Sequence, residues 1–271
     1  MSGKQHWRVA AATAAGASHL RDDTPNQDAV AHRVVEIGHG AAAVIAVADG
    51  AGSAPRSDEG SRVAVDAAVA SVAEGINRRP AAAFSEVMAA SLVRYAIERA
   101  KIEVERYGRR HNAPARELAS TLIVAFASDS LMTAAQVGDG AVIAFNIGGG
   151  DAMTLCQAHT GEYANETTFI TSRSRPHEIA SVGHASGHDY DALALITDGL
   201  QNLALKMPER EAFPGFWNPI LHDLAHTDEP EAVPARLHAF ISGERVQSRT
   251  GDDVTIAIAA RNPQKAEEGR Q

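Results

Sequence analysis

The sequence predicts an α+β fold in which an antiparallel β-sandwich carries helices on both outer faces. Short apolar segments of strand character come in two groups, residues 7–48 and 121–197, and a last one covers residues 254–260. Two helical patterns separate the groups, and shorter helical pieces precede the last strand. Strands and helices do not alternate as they do in a parallel sheet, which favours helices packed on an antiparallel sandwich.

The two helical patterns follow the first group of strands. Apolar residues at three-and-four spacing run from Ser57 to Ile76, which predicts an amphipathic helix. The spacing resumes at Pro80, a residue favoured in the first turn, and continues to about Tyr107, where Gly108 is predicted to end the second helix. Prolines between Gln201 and Gly243 predict only short helices there.

The second group of strands begins with three apolar segments between residues 121 and 147, and the turn residues between them predict an antiparallel meander. The polar stretch Ala158–Arg175 predicts a surface loop, or a flap over a site. Strand character returns at Glu178–Val182 and Ala192–Thr197. No linker-like composition interrupts the chain, so residues 1–261 are interpreted as one domain and the charged residues 262–271 as a disordered tail.

Composition and charge narrow the classes of function. The 271 residues carry a net charge of −9, which argues against nucleic-acid binding, since that requires a basic face. Cys156 is the only cysteine, which excludes an intramolecular disulfide and a cysteine-rich zinc site. No apolar stretch has the length of a secretion signal or a membrane span. We therefore expect a cytoplasmic monomer that binds neither nucleic acid nor membrane.

Acidic residues stand at the ends of the predicted strands, and they carry the prediction of function. The clearest case is the apolar run Ala41–Ala48, which ends abruptly at Asp49-Gly50. The acidic positions of this kind are Asp28, Asp49, Asp139, Asp198 and the pair Asp252-Asp253. Because a sheet fixes the backbone at the ends of its strands, we expect these carboxylates to converge on one oxygen-rich metal centre.

Such a cluster has a definite chemistry. Mn²⁺ and Mg²⁺ prefer oxygen ligands, whereas carboxylates that converge without a cation repel one another and their pKa values rise. Two ions bridged by one carboxylate can clamp a phosphoryl group and lower the pKa of a shared water. That water attacks phosphorus without a Ser, Cys or His nucleophile. The pattern therefore predicts metal-dependent hydrolysis of a phosphate ester.

In their order along the chain, the motifs resemble those of the PPM/PP2C metal-dependent protein serine/threonine phosphatases, and more closely a compact bacterial subgroup. The motifs are NQD at 26–28, AVADGAGS at 46–53, QVGDGAV at 136–142, LITDGL at 195–200 and GDDVT at 251–255. The resemblance covers about Ala10 to Ala260. It implies a β-sandwich flanked by helix pairs, with a binuclear Mn²⁺ or Mg²⁺ site at one end. The implied substrate is a protein phosphorylated on serine or threonine by a kinase, as in signalling.

The resemblance also implies roles for individual residues. The implied metal ligands are Asp28, Asp49, Gly50, Asp139, Asp198 and Asp252. Asp49 would bridge both ions, and Gly50 would contribute its backbone carbonyl. Asp198 and Asp252 would bind the first ion. Asp139 would help to hold a third, weaker ion. Asp28 would orient water near the second ion, so that Asp28 and Asp49 are the implied catalytic residues.

The sequence departs from the family where substrate phosphate is bound. Gln27 stands where animal members have glutamate, and Asp23 stands where many members have the phosphate-binding arginine. The remaining candidates to bind phosphate are His19, Arg21 and Arg56. A histidine such as His19 or His32 is also a candidate to protonate the leaving alkoxide.

Several alternatives stay open at this level. Gln27 and the missing arginine leave open a catalytically weak pseudophosphatase that serves as a binding or regulatory module. The same carboxylates would also serve a small-molecule phosphohydrolase. Asp139-Gly140 fits a plain hairpin turn equally well. Spacing does not separate Asp252 from Asp253 as the ligand, although the register of the family favours Asp252.

Overall fold

The computed structural model describes residues 7–38, 40–78, 84–156, 158 and 167–261. Two five-stranded antiparallel sheets face each other, and helices cover both outer faces. The predicted α+β sandwich is therefore confirmed. The predicted tail, residues 262–271, and residues 159–166 of the predicted polar loop lie outside the described residues.

The strands of the described chain, in chain order, are β1 (Trp7–Ala14), β2 (Ala29–Ile37), β3 (Gly40–Ala48), β4 (Leu122–Ala127), β5 (Leu131–Val137), β6 (Ala141–Phe145), β7 (Ala152–Thr154), β8 (Ser181–Ser186), β9 (Ala192–Ile196), β10 (Leu205–Lys206), β11 (Glu211–Ala212) and β12 (Val254–Arg261). Sheet I has the order β1-β12-β9-β6-β7, and sheet II has the order β2-β3-β4-β5-β8. The short strands β10 and β11 form a separate hairpin.

The α-helices are α1 (Ala17–Arg21), α2 (Ser57–Asn77), α3 (Glu86–Arg110), α4 (Pro176–Ile179), α5 (Gln201–Ala204), α6 (Pro214–His226), α7 (Val233–Ile241) and α8 (Glu244–Gln247). Single 3₁₀ turns cover Ala115–Leu118, Asp198–Leu200 and Pro230–Ala232. Helices α2 and α3 pack on sheet II, whereas α6 and α7 pack on sheet I. None of the described helices is both long and apolar enough to cross a bilayer.

The central strands are buried on both faces. On β3, Ala43, Ile45 and Val47 face sheet I, and the alternate residues Val44 and Ala46 face α2 and α3. Such strands read as continuous apolar runs, because neither face meets water. The layer between the sheets contains many alanines, and these small side chains suit a core with only 5% aromatic residues in the whole chain.

The strand register brings the acidic strand ends to one end of the sandwich. Ala29 pairs with Ala48, so the residues just outside this pair, Asp28 and Asp49, lie beside each other. Ile196 pairs with both Ala141 and Ile256, so the end of β9 and the starts of β6 and β12 share one edge. The loops before and after these strands therefore meet at that edge.

The predicted meander is wrong in its third strand. Strands β4 and β5 do pair in sheet II, but β6 pairs with β9 in sheet I. The chain crosses between the sheets at residues 138–140, where Gly138 has a φ of +106°, a backbone conformation that favours glycine. Asp139-Gly140 is therefore not a hairpin turn.

Helix α3 differs from its prediction at both ends. It begins at Glu86, because Ser85 caps it by accepting a hydrogen bond from the Met88 amide. It also continues through Gly108 to Arg110. Pro80, where the helix was predicted to begin, lies outside the described residues, and Gly108 lies in the last turn without ending the helix.

Three smaller elements also differ from the prediction. The predicted loop at residues 16–27 contains α1, and the hairpin of β10 and β11 stands where only helices were expected. The predicted strand Glu178–Val182 is instead α4 followed by β8. Its helical turn forms because Pro176 opens it and the Glu178 carboxylate accepts the Arg175 amide hydrogen bond.

Gly60 permits the closest approach between α2 and the turn at Ala115–Leu118. A Cβ atom there would lie 2.2 Å from the Leu118 carbonyl oxygen. We expect Gly60→Ala to lower the free energy of unfolding by about 1–3 kcal/mol, although alanine is the better helix former. Urea denaturation of the metal-free protein measures this.

The matched control is Gly75→Ala in the same helix. The nearest atom to a Cβ at Gly75 is the Leu92 Cδ1, at 2.3 Å, and this flexible side-chain tip can move. We expect a smaller loss, or a gain from helix propensity of up to about 1 kcal/mol. Equal losses at both glycines would contradict the close contact at Gly60.

Candidate metal centre

Three of the predicted acidic residues meet at one end of the sandwich. Carboxylate oxygens of Asp49, Asp139 and Asp198 all lie within 4.8 Å of one another. Asp49 follows β3 of sheet II, Asp198 follows β9 of sheet I, and Asp139 lies on the crossing between the sheets. The centre is thus assembled from both sheets.

The backbone of Asp49 is fixed on both sides by one residue. The Asp49 amide donates to Thr121 Oγ1 at 2.9 Å, and the Thr121 amide donates to the Asp49 carbonyl at 2.8 Å. The next residue, Gly50, donates its amide to the Gln27 carbonyl at 3.2 Å. Among the described residues, none donates a hydrogen bond to the Gly50 carbonyl. That oxygen is therefore available to a ligand.

Asp28 and Gln27 each present a buried oxygen without a partner. Asp28 Oδ2 accepts a hydrogen bond from Thr197 Oγ1 at 2.7 Å, which ties it to the residue before Asp198. Asp28 Oδ1 and Gln27 Oε1 are both buried and have no hydrogen-bond partner in the described parts of the chain. Buried polar atoms are rarely left in this state, so these oxygens fit a ligand or ordered water.

The electrostatics of the cluster call for positive charge. Burial, together with the charges of Asp28, Asp198, Asp252 and Asp139, raises the pKa of Asp49 to about 10. Burial is also the main cause that raises the pKa of Asp28 to about 8 and that of Asp198 to about 7. Asp28, Asp49 and Asp198 therefore cannot all be ionised near neutral pH unless a cation compensates their charge. The donor set therefore fits hard divalent ions.

Asp252 and Asp253 have different surroundings. The buried Asp253 carboxylate accepts the amides of Gly16 and Gln27 at 2.8 and 2.6 Å, and it contacts His19 Nδ1 at 2.8 Å. Its oxygens thus connect Gly16, His19 and Gln27 to the start of β12. Asp252 is exposed, and its charge raises the pKa values of Asp49 and Asp198. Asp252 is therefore the member of the pair that is open to a ligand.

The Asp139 loop is held by side chains from several directions. Gln136 Nε2 donates to the carbonyls of Gly138 and Gly140 at 3.1 and 2.8 Å. Thr167, which belongs to the predicted flap, donates to Asp139 Oδ2 at 2.9 Å.

Arg210 is a residue of this region that the sequence did not single out. Its Nη2 donates to the carbonyls of Asp139 and Gly140 at 2.7 and 2.8 Å, and its Nη1 donates to Gln201 Oε1 at 3.0 Å. Burial lowers the pKa of this guanidinium, and the charges of Asp139 and Asp198 oppose that shift. Arg210 therefore joins the β10–β11 hairpin to the loops of two acidic residues.

The three predicted phosphate-binding residues are not brought together. His19 lies against Asp253, whereas Arg21 is exposed and bonds to its neighbour Asp22. Arg56 donates to both oxygens of Glu59, at 3.0 and 2.6 Å. A role of these residues in binding phosphate stays a prediction.

Removing one charge from the cluster should stabilise the metal-free protein. The pKa of Asp49 is raised from 3.8 to about 10, so the folded protein disfavours the ionised form of this side chain. The stability that the protonated form contributes is fully present below about pH 4 and is lost as the pH rises toward the folded-state pKa. We expect Asp49→Asn to raise the melting temperature in chelator by a few degrees, roughly, and by more at about pH 8 than at about pH 6.

Differential scanning calorimetry with chelator and with added Mn²⁺ provides the measurement. The same experiment should show that Mn²⁺ raises the melting temperature of the unmodified protein more than that of Asp49→Asn. Asp151→Asn, which changes an exposed turn residue, is the charge-matched control and should change neither quantity. A metal-free Asp49→Asn protein that melts below the unmodified one would contradict the repulsion described above.

Arg210→Lys tests the attachment of the Asp139 loop while keeping the positive charge. Lysine cannot reproduce the three guanidinium hydrogen bonds, so we expect a loss of about 1–3 kcal/mol in urea denaturation. We also expect weaker Mn²⁺ binding in calorimetric titration, because the Asp139 backbone loses its anchor.

The control for Arg210→Lys is the same substitution at Arg236. Its guanidinium makes two hydrogen bonds to Asp223 and one to Thr227, but these contacts are exposed. Exposed ion pairs contribute little, so the stability and the Mn²⁺ affinity should stay unchanged within error. Equal effects of the two substitutions would show that Arg210 has no special role in holding the loop.

Comparisons with known proteins bear on this site and fold. A family model described as protein phosphatase 2C matches residues 15–242. The chain is 31% identical over 259 residues to Serine/threonine-protein phosphatase 3 of Escherichia coli (strain K12), and the match covers 93% of this chain and 98% of that protein. The family match and this relative extend over nearly the whole described structure.

Solved structures share the fold at lower identity. The catalytic domain of the serine/threonine protein phosphatase PstP, in complex with two manganese ions, has a TM-score of 0.60 at 17% identity, covering 94% of this chain and 98% of that one. A serine/threonine phosphatase from Staphylococcus aureus has a TM-score of 0.59 at 15% identity, covering 93% and 94%. With the family match over residues 15–242 and the near full-length relative, the chain belongs to the protein phosphatase 2C family.

Proposed function

We propose that this phosphatase hydrolyses phosphoserine and phosphothreonine in proteins, using Mn²⁺ or Mg²⁺ held at the carboxylate cluster. The observation that carries the proposal is the convergence of Asp49, Asp139 and Asp198 within 4.8 Å, in surroundings that raise the pKa values of Asp49 and Asp198. The family and the relative named a serine/threonine-protein phosphatase support the same reaction.

The predicted ligands are the ones we assign to the ions. Asp49 would bridge two ions with the Gly50 carbonyl beside it, and Asp198 and Asp252 would complete the first site. Asp139 would serve a third, weaker ion. Bound ions would supply positive charge for the phosphate oxygens and would lower the pKa of water, so that water could serve as the nucleophile.

The chain itself contributes position and hydrogen bonds. Thr121 and Thr197 fix Asp49 and Asp28 before any ligand arrives. The unpartnered oxygens of Gln27 and Asp28 can each accept a hydrogen bond from water at this end of the sandwich, and so orient it. Gln27 supports this role as a neutral acceptor, where a glutamate would add one more negative charge to the cluster.

Charge also makes phosphate binding depend on the cations. A phosphate group that approaches the metal-free cluster meets several carboxylates on a chain of net charge −9. The repulsion is removed only when positive charge occupies the centre. Cation loading is thus expected to be required for substrate affinity as well as for turnover.

The biological setting belongs to the same proposal. The substrate would be a phosphoprotein made by a serine/threonine kinase in a bacterial signalling pathway, and the enzyme would act as a cytoplasmic monomer with residues 1–261 as its catalytic domain. A pseudophosphatase and a small-molecule phosphohydrolase are not favoured for a member of this family whose acidic motifs are all present.

The activity is tested with p-nitrophenyl phosphate and a phosphothreonine peptide, in Mn²⁺, in Mg²⁺ and in chelator. We expect turnover of both substrates only with a divalent ion, and a loss of at least roughly 100-fold in Asp49→Asn and Asp198→Asn. Asp151→Asn is the control and should retain full activity.

Two outcomes would overturn the proposal. Turnover that persists in chelator would separate the activity from the carboxylate cluster. A preference of several orders of magnitude for a phosphorylated metabolite over the peptide would reassign the substrate class while keeping the site.

A further inference from the structure

We propose that a groove beside the metal centre binds an acidic, partly apolar segment of the phosphoprotein substrate next to its phosphorylated residue. The groove lies between α5, the β10–β11 hairpin and helices α6 to α8. This inference rests on the proposed function, because the segment must belong to a protein that the centre dephosphorylates.

The floor of the groove is apolar and open. It encloses about 830 Å³ and includes Phe213, Phe216, Ile220 and Phe240. Phe213 is 45% exposed and Phe240 is 39% exposed, so two aromatic rings of this surface remain in contact with water. A concave surface with exposed aromatic side chains is typical of a binding site.

The rim of the groove is cationic. Lys206, Arg245 and Arg249 line it, all three are exposed, and none forms an ion pair with another described residue. No aspartate or glutamate is among the residues that line the groove. Three unpaired cations around an apolar floor, on a chain of net charge −9, complement a segment that carries acidic and apolar side chains.

The position of the groove connects it to the metal centre. Asn202, on one side of the groove, stands on the helix that follows the 3₁₀ turn of Asp198. Arg249 is three residues before Asp252 along the chain. Two lining residues are therefore close in sequence to acidic loops, Asn202 just after the one at Asp198 and Arg249 just before the one at Asp252. A peptide with its phosphate at the centre can extend its flanking residues into the groove.

The shape favours a peptide over other anionic partners. A second hollow of about 160 Å³ shares Pro219, Ile220 and Phe240 with the groove and ends at the paired Asp223 and Arg236. The apolar path is thus longer than a small phosphorylated molecule requires. Its concave form also differs from the projecting apolar face that enters a membrane surface.

The test uses two phosphothreonine peptides that extend beyond the centre on both sides. One carries glutamate and leucine around the phosphothreonine, and the other has glutamine in place of each glutamate. The readout is the ratio of kcat/KM for the acidic peptide to kcat/KM for the neutral one, measured with Mn²⁺. The variant combines Arg245→Glu with Arg249→Glu, two exposed positions where reversal of charge disturbs no ion pair among described residues.

We expect the unmodified enzyme to prefer the acidic peptide and the double variant to lose that preference, with the ratio falling about tenfold through KM. The control combines Arg94→Glu with Arg109→Glu, two exposed positions on α3 that give the same change in net charge. Its ratio should stay at the unmodified value, which separates a local effect of the groove from the overall charge.

Four results would overturn the inference. Two concern the kcat/KM ratio, which would be the same in the unmodified enzyme and the double variant, or would fall equally in the control variant. The other two are that the unmodified enzyme binds phosphatidylserine vesicles or forms a dimer in sedimentation, and that the double variant does not. If the enzyme turns over no phosphate ester with Mn²⁺, the proposed function fails instead. Fluorescence anisotropy of the unphosphorylated acidic peptide then still tests the groove, because binding weakened by the double variant supports it and no binding overturns it.

Discussion

Mutual repulsion among carboxylates is the constraint around which this end of the molecule is built. Asp28, Asp49 and Asp198 are held close together in partly desolvated surroundings that raise all of their pKa values. A flexible chain would relieve the repulsion by moving the side chains apart. Here the strand ends and their hydrogen bonds prevent this, so the relief must come from protons or from cations. The same rigidity that costs stability in the metal-free protein gives the cations a preformed set of ligands.

The residues that maintain this arrangement are mostly not ligands themselves. Thr121, Thr197 and Arg210 each hold the backbone or side chain of an acidic residue through buried or half-buried hydrogen bonds. Asp253 instead accepts the amide of Gln27, the residue before Asp28. Asp253 illustrates the difference. It is next to Asp252, whose carboxylate is open to a ligand, but its own oxygens contact Gly16, His19 and Gln27. The acidic residues can therefore be divided into those that face the centre and one that fastens the surrounding loops.

The sequence predicted the layered fold and the acidic positions because both depend on local signals. An apolar run that ends at Asp-Gly specifies a strand and the residue at its end, and antiparallel pairing then brings such ends together. The sheet to which β6 belongs was not predictable in this way. Both faces of the central strands are apolar, so periodicity does not tell which partner a strand will choose.

Arg210 could not be predicted from local signals either. It lies in a turn between two very short strands, and its contacts with Asp139 and Gly140 span about seventy residues of chain. Its role follows from the tertiary structure alone. The ion pair of Arg56 with Glu59 is likewise a contact that the sequence analysis did not identify.

Because the chain crosses between the sheets at residues 138–140, the acidic cluster lies where the two sheets are connected. Asp49 is attached to sheet II, Asp198 to sheet I, and Asp139 to the segment that connects them. Ions shared by these carboxylates would link the two sheets at one edge. Sliding of one sheet over the other would then strain the coordination bonds, so bound ions would add to the contact between the sheets that the apolar layer already provides.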